Sequence, residues 1–150
     1  MSAVLPKGFR ASVAHARIKP SNTSRPDLAL LVTERPTPAA AIYTRNLLVG
    51  AHIHVCRDHL QRTGGKVRAL LVNAGNANCA TGEAGIEDAR QACAEVARLV
   101  GCEAQEVLFL STGVIGARLP MDRLLPTLPA LVDGLNDSRL DDFSKAIMTT

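Results

Sequence analysis

Residues 111–116, Ser-Thr-Gly-Val-Ile-Gly, set a hydroxyl beside a glycine directly after an apolar run. The Thr112 hydroxyl and the backbone N–H of Gly113 are able to converge on one oxygen. That is what an oxyanion hole requires: two fixed donors at hydrogen-bond distance from the charge that develops during acyl transfer. Glycine at 113 also lets a substrate approach the main chain closely. The same residues make an ordinary β-turn, and spacing alone does not choose between the two.

A second polar loop precedes it. Asn73-Ala-Gly-Asn-Ala-Asn-Cys-Ala-Thr-Gly82 holds three asparagines and two glycines in ten positions. Gly75 and Gly82 permit φ > 0, which Asn also tolerates. Such a loop aims amide and carboxamide donors at a substrate carboxylate, with Asn76 and Asn78 as candidate pocket residues. It equally makes a long Asx-turn that caps the next helix through Thr81.

His52, His54 and Cys56 alternate, with His59 close behind. On a strand they share one face, opposite Ile53 and Val55. Zn²⁺ accepts such ligands, yet three at i, i+2 spacing splay apart without a fourth from elsewhere, so no metal is expected. No glycine-rich dinucleotide fingerprint, Walker sequence, His-Glu-x-x-His or Gly-x-Ser-x-Gly occurs. Nucleotide, zinc-protease and hydrolase-elbow chemistries therefore lose their usual support.

The elements that must hold these loops are legible from hydrophobic patterning. Strands are predicted over 8–19, 27–33, 39–44, 51–56, 67–73 and 107–111. A helix is predicted over 84–100, where Ile86, Ala89, Cys93, Val96 and Val100 recur at helical spacing and Gly101 supplies the C-cap. Pro120 suits a first helical position, and Pro126 and Pro129 predict an interrupted helix over 121–131. Ser138 is the expected cap of a last helix on which Leu140, Phe143 and Ile147 share a face. Strands followed by polar turns at their C-terminal ends are where open α/β sheets build sites.

Composition narrows the function classes. With 47% hydrophobic and 21% charged residues over 150 positions, the chain can bury a core and is not a disordered one. Its +3 charge is scattered, and aromatics are 3% with no Trp, so neither a nucleic-acid arm nor a base-stacking platform is present. No apolar stretch approaches the roughly 18–20 residues of a membrane span. The first ten residues lack the apolar core of a secretory signal. Cys56, Cys79, Cys93 and Cys102 form no C-x-x-C pair, which points to free thiols in a reducing cytoplasm. Cys93, on the apolar helix face, reads as a small buried hydrophobe.

Taken in order, Gly8-Phe-Arg-Ala11, Arg25-Pro-Asp-Leu-Ala-Leu30, Val72-Asn-Ala-Gly-Asn-Ala-Asn78 with Thr81-Gly82, Ser111-Thr-Gly-Val-Ile-Gly116 with Leu119-Pro-Met-Asp122, and Ala146-Ile-Met-Thr-Thr150 form a distinctive set. The chain resembles the N-terminal part of the bifunctional ornithine acetyltransferase (glutamate N-acetyltransferase) family of arginine biosynthesis, over essentially its whole length. The resemblance implies an α/β fold, a layered α-β-β-α sandwich of which residues 1–150 are the N-terminal, α-chain-like portion. It implies a precursor that cleaves itself before a threonine, which then takes acetyl from N-acetylornithine and passes it to glutamate. Thr112 and Gly113 match the family's oxyanion pair, and Thr149, with Thr150 beside it, matches a substrate-contacting threonine. The nucleophile-bearing segment is not among these residues. The implied partners are a C-terminal β chain, in an assembly of two α and two β chains, and the implied setting is the cytoplasm. No cofactor is implied, although acetyl-CoA serves some members as acetyl donor. Two other readings stand beside this one: an amidase or aminopeptidase of similar architecture with water as acceptor, and an inactive fragment that only binds a partner chain through strand edges.

Overall fold

Leu28–Pro38 (β2) and Lys66–Asn76 (β3) carry the two longest apolar strand sequences and pair antiparallel at the centre of a four-stranded sheet. The computed structural model describes residues 4–148. Phe9–Ala14 (β1) flanks β2 antiparallel, and Val107–Val114 (β4) flanks β3 in parallel, giving the order β1-β2-β3-β4. A parallel neighbour requires a crossover. Gly82–Val100 (α2) provides it, ending at Gly101 in the left-handed conformation (φ 75°) as its sequence predicts.

The pleat sorts the strand residues between two faces. Leu28, Leu30, Val32, Leu71, Val107 and Phe109 point to one side and meet α2 through Ala89, Ala92, Cys93 and Val96. Ala51–Arg62 (α1) adds Val55, and Met121–Asp133 (α3) adds Leu124, Leu128 and Leu131. Each large side chain removed from water there contributes about 1.5–3 kcal/mol. On the opposite face, among the described residues, Ala29 and Val72 form a small cluster with Ala146 and Phe143 of the short helix Leu140–Ala146 (α4). Beyond α4, Leu31, Leu70, Leu108 and Leu110 line an open apolar groove of about 320 Å³. The residues thus build a mixed α/β sheet with one full helical layer, and the second sheet of a four-layer sandwich is not formed among those described.

Several local expectations are corrected. Residues 51–56 are not a strand but the first half of α1. The buried positions Ala51, His52, Val55, Cys56 and His59 make a helical stripe, and the apparent alternation is a short sample of it. Residues 39–44 form no strand. Instead β2 runs on to Pro38 through a register break between Val32 and Thr37, around Pro36, whose ring nitrogen cannot donate to the ladder. Helix α3 is continuous despite Pro126 and Pro129, because its three fully buried leucines hold one face on the sheet. Pro120 occupies the position before α3. Ser138 caps nothing: its hydroxyl donates to Asn136 Oδ1 at 2.8 Å, and α4 starts at Leu140 with Ile147 just past its end.

The strand predicted over 8–19 stops at Ala14 for a specific reason. Asp27, 1% exposed, accepts the backbone N–H groups of Ala16 and Ile18, each at 2.7 Å, and draws residues 15–19 into a bend. Its own carbonyl accepts Ala74 N–H at 2.9 Å, so the same residue ties this bend to β3. Replacing Asp27 by Ala strands two buried donors, each costing about 1–3 kcal/mol. We expect Asp27→Ala to lower unfolding stability in urea by about 3 kcal/mol, and Asp27→Asn, which keeps an acceptor, to lose roughly half as much.

Candidate functional site

The parallel pair β3–β4 runs in register to its very end: Asn73 lies opposite Ser111, Ala74 opposite Thr112, Gly75 opposite Gly113 and Asn76 opposite Val114. The strand predicted to end at Ser111 therefore runs on through residues 112–114, which the sequence suggested as a turn. Gly113 (φ 136°) is pressed against its neighbour so closely that a Cβ there would sit 2.4 Å from the Gly75 carbonyl carbon. Gly75 does not use positive φ; it is needed because a Cβ would stand 2.9 Å from the Ile18 side chain. The β3 and β4 backbones meet here with no side chain between them, the Ile18 side chain and Lys19 N close in behind Gly75, and only glycine fits in the two inner positions.

Beyond the glycines the chain leaves as a strap, residues 112–118, exposed throughout. Its inward polar groups are tied to the end of β3 and the loop after it. Val114 O accepts Ala77 N–H and Gly116 N–H donates to Cys79 O, both at 2.9 Å. Asn76 Nδ2 donates to Ala117 O at 2.9 Å and Arg118 O at 3.1 Å. Arg118 then grips Asp88 of α2 through two guanidinium nitrogens, at 2.7 and 3.1 Å. Asp88 is buried, so the outer end of the strap is anchored to a helix whose own position the core fixes. Thr112 and Gly113 are both exposed, and among the described residues the Thr112 hydroxyl has no hydrogen-bonding partner.

Asn76 and Asn78 are turned the other way. Both are buried, and Asn76 Oδ1 accepts Asn78 N–H at 2.6 Å. Asn78, in the left-handed region (φ 43°), donates to Gly85 O and accepts the Thr81 hydroxyl, each at 2.9 Å. Thr81 stands at the N-cap of α2 but bonds Asn78 rather than the helix N–H groups. The carboxamides shape the main chain around the strap instead of pointing outward. Thr149 and Thr150 lie outside the described residues. Sequence reasoning assigned no role to Asn73, Ser111, Asp88 or Arg118; an Asn ending an apolar strand two residues before Gly was the available signal for the first.

A cleft of about 500 Å³ borders the strap, lined by Leu48, Val49, His54, Thr81, Glu83 and Ile115 at the starts of α1 and α2. Because α1 is a helix, its ring and thiol side chains diverge. His59 Nδ1 donates to Val107 O at 2.8 Å, and the Cys56 thiol to Phe109 O at 3.2 Å, with burial pushing that thiol's pKa up. Among the described residues no three His, Cys, Asp or Glu gather to hold a metal ion, and all four cysteines are free. His52 packs edge-on against Phe109, with ring centroids 6.4 Å apart, and its Nδ1 is buried without a partner.

Two predictions follow from this packing. Burial lowers the His52 pKa from 6.5 to about 4 by withholding solvent from the cation. The unfolded chain takes up a proton near pH 6.5 while the folded chain stays neutral until about pH 4. Stability therefore falls as the pH drops through that window, by up to about 3 kcal/mol from this group. Urea titrations at pH 7 and 4.5 measure the slope, and His52→Phe should remove that portion of it. Gly113→Ala meets backbone at an unfavourable φ, and should lower the melting temperature by more than Thr112→Ala, Val114→Ala or Ile115→Ala in the same strap.

Residues 10–150 match the model of the ArgJ family. The chain is 46% identical to the arginine biosynthesis bifunctional protein ArgJ of Geobacter sulfurreducens, over 96% of its own length and 36% of that protein's. It is also 46% identical to the Thermus thermophilus protein of the same name, over 100% of this chain and 38% of that one. It thus spans little more than a third of the length of these curated relatives. Among solved structures, ornithine acetyltransferase of Mycobacterium tuberculosis, complexed with ornithine, superposes with a TM-score of 0.88 at 39% identity, covering 97% of this chain and 77% of that one. ArgJ of Bacillus halodurans gives 0.83 at 35% identity, covering 96% and 73%. The β3–β4 pair, its glycine contact and the strap beyond them are thus those of a chain that belongs to the ArgJ family.

Proposed function

We propose that these residues supply the acyl-oxygen-binding half of a site that moves acetyl from N-acetylornithine to glutamate in arginine biosynthesis. The observation that carries this reading is the outward Thr112 hydroxyl beside Gly113, on a strap whose other polar groups are tied inward. A donor pair held this way has little reorganisation left to do when charge develops on a carbonyl oxygen. Family membership supports the substrate class, as does the ornithine bound by the M. tuberculosis relative.

In this mechanism the attacking group is a threonine of the C-terminal remainder, and its own α-amine takes the hydroxyl proton. The hydroxyl oxygen bonds to the acetyl carbon, and the carbonyl oxygen becomes an oxyanion between Thr112 Oγ1–H and Gly113 N–H. As it collapses, the C–N bond breaks and ornithine leaves with the proton held by the amine. The glutamate amine then attacks the threonine ester and the same donors hold the second oxyanion; its collapse breaks the ester C–O bond, and the proton lost from the glutamate nitrogen returns, through the threonine α-amine, to the threonine hydroxyl as N-acetylglutamate leaves. Two observations support a partner chain. The apolar groove along Leu31, Leu70, Leu108 and Leu110 lies open. This chain also covers 77% of the solved M. tuberculosis chain against 36% of the G. sulfurreducens protein, so the solved chain is about half a full-length relative. An assembly of two such chains with two β chains fits this reading, and Thr149 and Thr150 are proposed to contact substrate.

The test is Thr112→Ala in the chain joined to its C-terminal remainder. Loss of one oxyanion donor should reduce kcat on the order of 10²–10³-fold; an unchanged kcat would overturn the assignment. Competing glutamate against water as acceptor separates acetyl transfer from an amidase activity, and adding acetyl-CoA without acetylornithine tests it as a second donor. Residues 1–150 alone should show no turnover, since they hold no nucleophile for this reaction.

A further inference from the structure

Asn73 and Ser111 face each other across β3 and β4, one register step before Thr112 and Gly113. The strands around them are apolar, with Leu71 and Val72 on one and Phe109 and Leu110 on the other. A polar pair there is costly unless its groups are satisfied. Here they are satisfied in one connected arrangement. Asn73, 0% exposed, donates from Nδ2 to Ser111 Oγ at 2.5 Å. Ser111 Oγ–H donates onward to Asn76 O at 2.7 Å. Asn73 Oδ1 accepts Gly75 N–H at 3.2 Å and Asn76 N–H at 3.0 Å, curling the end of β3 back on itself.

We propose that Asn73 and Ser111 are positioning residues for the reaction, setting where the oxyanion pair sits by fixing the peptides of Gly75 and Asn76. The inference rests on the reading of Thr112 and Gly113 given above. Its physical basis is the glycine contact. A Cβ on Gly113 would stand 2.4 Å from Gly75 C and 2.6 Å from Asn76 N, so Gly113 lies directly on the Gly75–Asn76 peptide, whose N–H Asn73 accepts and whose next carbonyl, Asn76 O, Ser111 holds. No side chain intervenes to absorb a displacement, and close-packed backbones transmit it. Ser111 is not itself a donor to substrate. Its proton is committed to Asn76 O and its lone pair to Asn73, so it acts through its neighbour.

The experiment compares Ser111→Ala, Thr112→Ala and the double variant in the protein carrying its C-terminal remainder. Displacing reacting groups by about 1 Å costs up to roughly 10²-fold in rate. Ser111→Ala should therefore lower kcat by about 10- to 100-fold, with KM for acetylornithine changed less than about twofold. Graded replacements at 111 should rank Ser, Thr, Cys, Ala in falling kcat, so that Thr and Cys carry the test if the alanine variant does not fold. In the Thr112→Ala background the further loss from Ser111→Ala should shrink to less than about threefold, because residues acting as one unit are not additive. A Ser111→Ala enzyme with wild-type kcat, beside a crippled Thr112→Ala enzyme, overturns the positioning role and leaves the site reading intact. A Ser111→Ala loss that repeats in full without the Thr112 hydroxyl overturns it as well, since that is the mark of a general structural defect. A Thr112→Ala enzyme with wild-type kcat removes both.

Discussion

Where Gly75 meets Gly113, two peptide backbones touch with the space of one missing methyl between them, and a third backbone, at Ile18 and Lys19, closes in behind. That contact requires β3 and β4 to be parallel, in register and ending together. This in turn requires the α2 crossover, and α2 must lie flat on the sheet for its first turn to meet the loop after β3. The bend at 15–19 that supplies the third layer exists because Asp27 takes two of its N–H groups. Each element of the helical face is therefore committed to bringing three main chains together at one end of the sheet.

The polar residues near that contact serve it from inside. Asn73, Asn76 and Asn78 are all buried, and each carboxamide bonds groups that would otherwise be orphaned where strand gives way to loop. Asparagine suits this because one side chain both donates and accepts without carrying charge. Two buried carboxylates assist: Asp27 takes the N–H groups of the 15–19 bend, and Asp88 is met by Arg118, which reaches in from solvent. The outcome is a surface strap that exposes Thr112 and Gly113, tied down by the buried carboxamides of Asn73, Asn76 and Asn78 and by the Arg118–Asp88 pair.

The two faces of the sheet are unequal. One is sealed by three helices around Phe109 and the leucines of α3; the other carries only the small α4 cluster and an apolar groove. The groove's lining is mostly apolar, with Arg68 among its walls. A sheet with two apolar faces and one helical layer is the shape of half a layered sandwich.

How much of this was written in the chain divides along physical lines. Long periodic segments announced themselves: the continuous apolar runs of β2 and β3 and the three- and four-residue spacing of α2 have no other way to bury their side chains. The Gly101 cap followed from φ alone. Short segments misled. His52 to Cys56 alternates like a strand, and only the helices and sheet packed against it select the helical stripe that buries Val55 and His59. Proline in α3 reads as a break, yet tertiary packing outweighs the lost hydrogen bonds. The Asn-Gly loop and the Ser-Thr-Gly run could be marked as candidates from residue type, since few other residues adopt such backbones or present such donors. That these two runs lie edge to edge, with the asparagines inward and Thr112 outward, depended on strand register. Register is a property of pairing between distant segments, and no local pattern encodes it. The sequence by itself determined which residues were candidates to bind an acyl oxygen; the tertiary structure alone decided which of them are exposed, because only assembled backbones exclude a side chain at Gly75 and Gly113.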